Sequence, residues 1–312
     1  MRIAVVDIGT NSTRLLVADV DPVAGTVREL ERRSEVTRLG AGLEASGRLS
    51  DEAMARVFAT LDGYLEITDA VGGVAVRRAV LTSATRDAAN GPQFSAHVRD
   101  DYGLDARTIP GEEEARLSFL GATSSRDPEG GEQIVVLDIG GGSTEFIVGR
   151  GRAVEFHVST QAGVVRHSER HLHHDPPLPA ELDALARDVR ATFAAAVPEE
   201  LRASTGAMIA VAGTATSMAA IDQALEPYDP ARVDGYLVSL AACERISQRL
   251  AGMTDAERRE VAGLHPQRAP TIVAGSLFII EAMRAFGLDA AEVSEHDILY
   301  GVALDAAAAA AG

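Results

Sequence analysis

The order of apolar and polar positions predicts strands at the start of the chain, with helices between later strands. Residues 3–6 and 15–20 are apolar runs around a short polar turn, which predicts a β-hairpin, and 26–33 predicts a third strand. Over 50–68, Met54, Val57, Phe58, Leu61 and Leu65 follow helical spacing. Ser50 is the N-cap there, with Asp51 and Glu52 in the first turn. Residues 75–81 predict a buried strand ending at Thr82-Ser83. A helix over 86–102 is broken near Asn90-Gly91-Pro92, and 107–109 and 112–121 predict a short strand and a helix. The polar stretch 123–133 reads as a linker or exposed loop, and a second hairpin begins at 134. Leu182, Leu185, Val189 and Phe193 mark one face of a helix over 179–197. A strand over 207–211 leads into Gly213-Thr214-Ala215-Thr216 and a helix. Further helices are predicted over 239–251 and 269–286, and a short strand over 292–294. An Ala-rich terminal helix, 298–310, is expected to return to the first domain.

The two hairpins are the same pattern written twice. Residues 3–18 read IAVVDIGTNSTRLLVA and residues 134–149 read IVVLDIGGGSTEFIVG. Offset by 131 residues, they share Ile3/Ile134, Val5/Val136, Asp7/Asp138, Ile8/Ile139, Gly9/Gly140, Ser12/Ser143, Thr13/Thr144 and Val17/Val148. A repeat this distant predicts two related domains rather than a solenoid. The boundaries expected are 1–122 and 123–297, with 298–312 packing back on the first.

The length of 312 residues favours two domains. Apolar residues make up 46% and aromatics 4%, which fits a globular α/β protein rather than a disordered chain. The longest mostly apolar stretch, 271–280, is too short to span a bilayer. A strand begins within three residues of the start, so no targeting segment is expected and a cytoplasmic location is the default. Cys243 is the single cysteine, which excludes a disulfide framework or a cysteine metal cluster. A net charge of −17 argues against nucleic acid and membrane surfaces as partners. All 29 basic residues are Arg, so a bound phosphate must be held by guanidinium forks, amides, hydroxyls or a metal.

Either D-I-G-x-x-S-T turn alone is as readily an ordinary hairpin. Duplication makes the pair candidate phosphate sites. Gly permits positive φ, so each turn is expected to be tight and to bring its amides close to an anion. The candidate phosphate contacts are Gly9, Thr10, Asn11, Ser12 and Thr13, and Gly140, Gly141, Gly142, Ser143 and Thr144. Asp7 and Asp138 end their strands at the same point and suit a hydrated Mg2+. After Ser-Thr the copies diverge: Arg14 suits phosphate, whereas Glu145 suits water or metal.

These turns resemble the phosphate hairpins of the superfamily that joins actin, heat-shock chaperones and sugar kinases. Four further segments resemble the exopolyphosphatase / guanosine pentaphosphate phosphatase family. They are Thr82-Ser83-Ala84-Thr85-Arg86-Asp87-Ala88, Gly111-Glu112-Glu113-Glu114-Ala115-Arg116-Leu117, Ala212-Gly213-Thr214-Ala215-Thr216 and Ser294-Glu295-His296-Asp297-Ile298-Leu299. The resemblance covers nearly the whole chain in order, and the length is similar to the short two-domain actinobacterial members. It implies an α/β fold of two related actin-like (ribonuclease H-like) domains with a cleft between them. It also implies a homodimer and Mg2+-dependent hydrolysis of a terminal phosphoanhydride, with Mn2+ as the other candidate ion. Chemistry alone does not choose among Glu112, Glu113 and Glu114; the resemblance implies Glu114 as the catalytic base, and the turns themselves offer Arg14 and Glu145 as further catalytic candidates. Asp7, Asp138 and Glu145 of the turns are the candidate metal ligands. Arg86, Gly213, Thr214 and Arg166, the last in a Gly-x-x-Arg segment from Gly163, are implied phosphate ligands. Arg32, Arg33, Arg170 and Arg268 are unplaced candidates for a basic substrate channel. His171, His173 and His174 read as a surface helix end rather than a metal site, and His296-Asp297 as structural. Arg268-Ala269-Pro270 departs from the family's Arg-Ala-Asp, and Pro suits a helix start.

The leading substrate is inorganic polyphosphate. The alternative is the 5′-phosphate of guanosine pentaphosphate (pppGpp). A superfamily kinase or ATPase and a non-catalytic sensor are further alternatives, the first lacking a clear nucleoside pocket and the second at odds with four intact acidic residues.

Overall fold

The computed structural model describes residues 1–127 and 130–311, with only the backbone at 311. Pro128 and Glu129 of the expected linker, and Gly312 of the expected terminal helix, lie outside the described residues. The chain divides into two units, Met1–Arg126 with His296–Gly312, and Asp127–Glu295.

The first unit holds a sheet of β1 (Arg2–Ile8), β2 (Thr13–Asp21), β3 (Thr26–Glu35), β4 (Val76–Leu81) and β5 (Asp105–Thr108), in the order β3-β2-β1-β4-β5. β1 pairs antiparallel with β2 and parallel with β4, so it is central. Its near-continuous apolar run follows from burial on both faces. Ala4, Val6 and Ile8 join a core with Val57, Leu61 and Tyr64 of the helix Asp51–Val71. Ile3 and Val5 join another with Leu299, Val302 and Ala303 of the terminal helix Ile298–Ala311. Ser50 caps its helix by accepting from the Ala53 amide at 3.2 Å. The expected break near residue 90 separates two helices, Ser83–Asp87 and Gly91–Tyr102. A Cβ on Gly91 would lie 1.9 Å from the Thr85 carbonyl oxygen, so only glycine allows that approach.

The second unit holds β6 (Gln133–Ile139), β7 (Thr144–Arg150), β8 (Ala153–Thr160), β9 (Ala207–Val211), β10 (Tyr236–Ser239) and β11 (Ala290–Val293). Their order is β10-β11-β9-β6-β7-β8. The run β8-β7-β6-β9-β11 repeats the first sheet, with the same sense at each pairing. Each copy also shifts register at the same place, between Val17 and Ala18 and between Val148 and Gly149. Those bulges lie 131 residues apart, as the sequence repeat does. The fold is α/β, with two units of related sheet topology.

β8, β10 and the helix Val164–His171 were not expected from the sequence, nor were the short helices Leu43–Ser46, Glu199–Ser204, Pro230–Val233 and Asp255–Arg258. The stretch Pro266–Phe286 is also longer than the apolar run at its centre; by length and composition it matches a membrane span. However, 72% of that apolar window is buried, and Ile272, Val273, Phe278 and Ile279 lie in the second unit's core, as in a core helix.

Candidate functional site

The two turns share one backbone design. Gly9 N donates to Ser12 O at 3.0 Å, and Gly140 N to Ser143 O at 2.9 Å. The turn carbonyls are then tied down from behind. Thr10 O accepts from Gly40 N and Asn11 O from Arg38 N, while Gly140 O and Gly141 O accept from Val164 N and Val165 N. Among the described residues, the amides of Thr10, Asn11 and Ser12, and of Gly141, Gly142 and Ser143, have no protein acceptor. Two concave rows of donors result, suited to phosphate oxygens.

Positive φ is not the reason for glycine here. Neither Gly9 nor Gly140 adopts the left-handed region. A Cβ would instead approach Ser12 O to 3.2 Å and Ser143 O to 3.0 Å. Glycines outside the turns matter as much. A Cβ on Gly40 would lie 2.3 Å from Thr10 Cγ2, and one on Gly163 2.4 Å from Gly141 O. Thr13 is fully buried and its hydroxyl pairs with that of Thr37 at 3.0 Å, so it supports the turn from inside. Thr144 is equally buried.

Register carries the divergence between copies. Asp7 sits opposite Arg14 in the β1–β2 ladder, and Asp138 opposite Glu145 in the β6–β7 ladder. Arg14 donates to Asp7 Oδ2 through Nε at 2.9 Å and Nη2 at 2.5 Å, and to Asp297 through Nη1. Arg32 Nη2 reaches the same Asp297 oxygen at 3.3 Å, and the Leu299 amide holds the other. Burial pushes the Asp7 carboxyl above the usual range; Arg14 pulls against it, while Asp297 adds to it. Asp7 Oδ1 is buried with no hydrogen-bond partner. An acceptor without a donor fits a cation. In the second unit Asp138 and Glu145 are buried, and Ser159 Oγ donates to Glu145 Oε1 at 2.7 Å. Asp7 in the first unit, and Asp138 with Glu145 in the second, each offer oxygen donors of the kind a hard divalent ion takes.

The three adjacent glutamates separate by helical geometry. Glu112 is exposed, and Glu113 pairs with Arg116 at 2.8 Å on the surface. Glu114 is buried in the first turn of the helix Gly111–Ala122, and its Oε2 accepts from Arg86 Nη1 at 3.1 Å. The same Arg86 nitrogen donates to Ile109 O at 2.9 Å. β4 and β5 deliver both residues to the end of the sheet where the first turn lies. Thr82 N donates to Ile8 O and Ile109 N to Leu81 O. Ligand sites of open α/β sheets form at such carboxyl ends.

In the second unit β9 ends beside Asp138, and Ala212 follows with φ 65 before Gly213-Thr214. The repeat continues here at the same offset, Thr82-Ser83-Ala84-Thr85 against Gly213-Thr214-Ala215-Thr216. By that alignment Ser217 stands where Arg86 stands in the first unit. Arg268 brings a guanidinium to that place: Nη1 donates to Ser217 Oγ at 3.1 Å and Gly213 O at 2.8 Å. A Cβ on Gly213 would lie 2.7 Å from Arg268 Cζ. Arg166 Nε donates to Gly142 O at 3.2 Å, beside the second turn. Of the other channel candidates, Arg33 pairs with Glu31 at 2.7 Å, and Arg170 lies 3.6 Å from Asp188.

A model of the Ppx/GppA phosphatase family matches residues 16–309. The chain belongs to the Ppx/GppA phosphatase family. That makes it a phosphoanhydride hydrolase, and the family generally uses a divalent metal. The chain is 39% identical over 320 residues to Exopolyphosphatase 2 of Mycobacterium tuberculosis, covering 98% of each. An exopolyphosphatase-like protein of known structure aligns with a TM-score of 0.92 at 33% identity, over 100% of this chain and 99% of that one. The Aquifex aeolicus member of the family aligns with a TM-score of 0.81 at 28% identity, over 98% and 97%.

Sequence reasoning did not anticipate the pairing of Asp297 with Arg14. The residues are 283 positions apart, and only the return of the terminal helix joins them. The aligned T-S-A-T and G-T-A-T segments were in plain view; the offset of the hairpins would have found them.

Proposed function

We propose that this chain is a cytoplasmic exopolyphosphatase that releases terminal orthophosphate from inorganic polyphosphate with Mg2+. The observation that carries this reading is the pairing of buried Glu114 with the partly exposed Arg86 at the carboxyl end of the first sheet, next to a turn of unpaired amides. The full-length similarity to a protein named Exopolyphosphatase 2 supports the substrate.

Phosphoryl transfer is mainly positioning and charge neutralisation. The Gly9–Thr13 and Gly140–Thr144 turns offer amides to phosphate oxygens. Arg14 and Arg86 offset their charge, with Arg268 and Arg166 taking further phosphates. Glu114 accepts a proton from water as its oxygen bonds to phosphorus, and the shortened chain leaves with the anhydride oxygen. Asp7, Asp138 and Glu145 would hold the divalent ion, which when bound neutralises charge on the transferring group. Asp297 remains an anchor for Arg14 when Asp7 serves the metal.

Phosphate release from long-chain polyphosphate, short polyphosphates, pppGpp and ATP, each with Mg2+ or Mn2+, tests this reading. The highest kcat/KM is expected for polyphosphate. A higher value for pppGpp would assign the nucleotide as substrate, and ATP alone would overturn both.

A further inference from the structure

The helix Val164–His171 carries chemistry that phosphate transfer does not use. His167 and His171 stand four residues apart and therefore share one helix face. Across from them is Asp188, on the helix Pro179–Ala196. His171 Nε2 lies 2.8 Å from Asp188 Oδ2, and His167 Nε2 lies 3.6 Å from that same oxygen. One ligand atom from each of the three residues falls within 4.8 Å of the others.

His167 is the telling member. It is 2% exposed, and neither ring nitrogen has a hydrogen-bond partner. Its separation from Asp188 exceeds hydrogen-bond range. A buried imidazole always has at least one N–H or lone pair to satisfy, and leaving such a group unpaired costs about 1–3 kcal/mol. The edge contact with Phe278, centroids 5.1 Å apart at 89°, packs the ring without satisfying a nitrogen.

We propose that His167, His171 and Asp188 bind a zinc-class divalent cation, separate from the phosphate-site metal. Two imidazoles and one carboxylate with an open position for water match the donors zinc selects, whereas Mg2+ prefers oxygen alone. Ligand bonds near 2.0–2.1 Å put tetrahedral ligand atoms about 3.4 Å apart, so small side-chain rotations close the site. Arg170 Nη1, 3.6 Å from Asp188 Oδ2, is the competing cation; it is half-exposed and yields to solvent. The helix begins on the second phosphate turn, where Val164 N and Val165 N donate to Gly140 O and Gly141 O. A cation at its other end ties that support to the helix Pro179–Ala196.

The test strips the full-length chain with chelator, loads Zn2+, desalts it and measures retained zinc. Parallel Co2+ loading reads the d–d bands of four-coordinate cobalt. Wild type and Asp138→Asn should each retain one zinc per chain and show those bands. His171→Ala and Asp188→Asn should lose both, with unchanged circular dichroism. Equal retention in wild type, His171→Ala and Asp188→Asn overturns the proposal. So does loss in Asp138→Asn with retention in His171→Ala, which would place the ion at the acidic phosphate turn. Retention of no zinc by wild type also overturns it.

Discussion

Glu114 and Asp7 are both buried carboxylates, but their surroundings differ. Glu114 meets the Arg86 guanidinium, which is itself anchored on the Ile109 carbonyl. Asp7 shares Arg14 with Asp297 and keeps one oxygen unpaired, which leaves it open to a metal. Cys243 is a free thiol buried in the second unit's core. Desolvation first, then Asp222 and Glu244, push its thiol up to about 12. The folded chain should therefore resist a thiol reagent at pH 8 and react fully only when unfolded; rapid reaction in the folded state would contradict its burial. The raised pKa also fixes a sign. Stability from the neutral thiol is complete below the unfolded value near 9 and fades as pH rises towards 12.

Helices position these residues, and two glycines set the most demanding contact. A Cβ on Gly301 would lie 1.8 Å from Leu117 O, and one on Gly121 1.9 Å from Asp297 O. The terminal helix thus lies directly against the helix that presents Glu114. Gly301→Ala should cost about 1–3 kcal/mol or more by overpacking, read as a lower denaturant midpoint, and should lower kcat as well. Unchanged stability would mean the helices separate freely. At the start of Pro179–Ala196, Glu181 is drawn down to about 2, chiefly by the His174 hydrogen bond and then by the Leu178 amide. A depressed carboxyl stabilises above its unfolded pKa near 4.5 and loses that effect as pH falls towards 2. Glu181→Gln should accordingly lower Tm at pH 7, and the gap from wild type should close by pH 2–3; a gap independent of pH would refute this ionic lock. Helices of clear periodicity, such as Pro179–Ala196, were legible in the sequence, as was the capped helix after Ser50. β8 was not: Val154, Phe156 and Val158 alternate along it, but as an edge strand it leaves residues 153–155 exposed and packs only Phe156 and Val158 against the core. The short, polar helix Val164–His171 escaped for a related reason: it is fixed by its contact with the second turn rather than by its own pattern.

For the whole molecule, duplication carries most of what the sequence revealed. One offset of 131 residues relates two hairpins, two bulges and two strand-to-helix turns. What it could not reveal is which distant residues supply what a copy lacks. Arg86 has Ser217 as its counterpart, and the guanidinium there comes from Arg268 instead. Asp297 joins Arg14 only through the chain's return to the first unit. The division of labour is therefore asymmetric: the catalytic base proposed here belongs to the first copy, while Asp138 and Glu145 give the second copy two acids. The most direct test compares phosphate release from Mg2+–polyphosphate by wild type and Glu114→Gln under single-turnover conditions, with polyphosphate binding measured alongside. Loss of a general base predicts a rate about 10²–10⁴-fold lower with binding nearly unchanged. A rate within a few-fold of wild type would remove Glu114 from the chemistry and contradict the account.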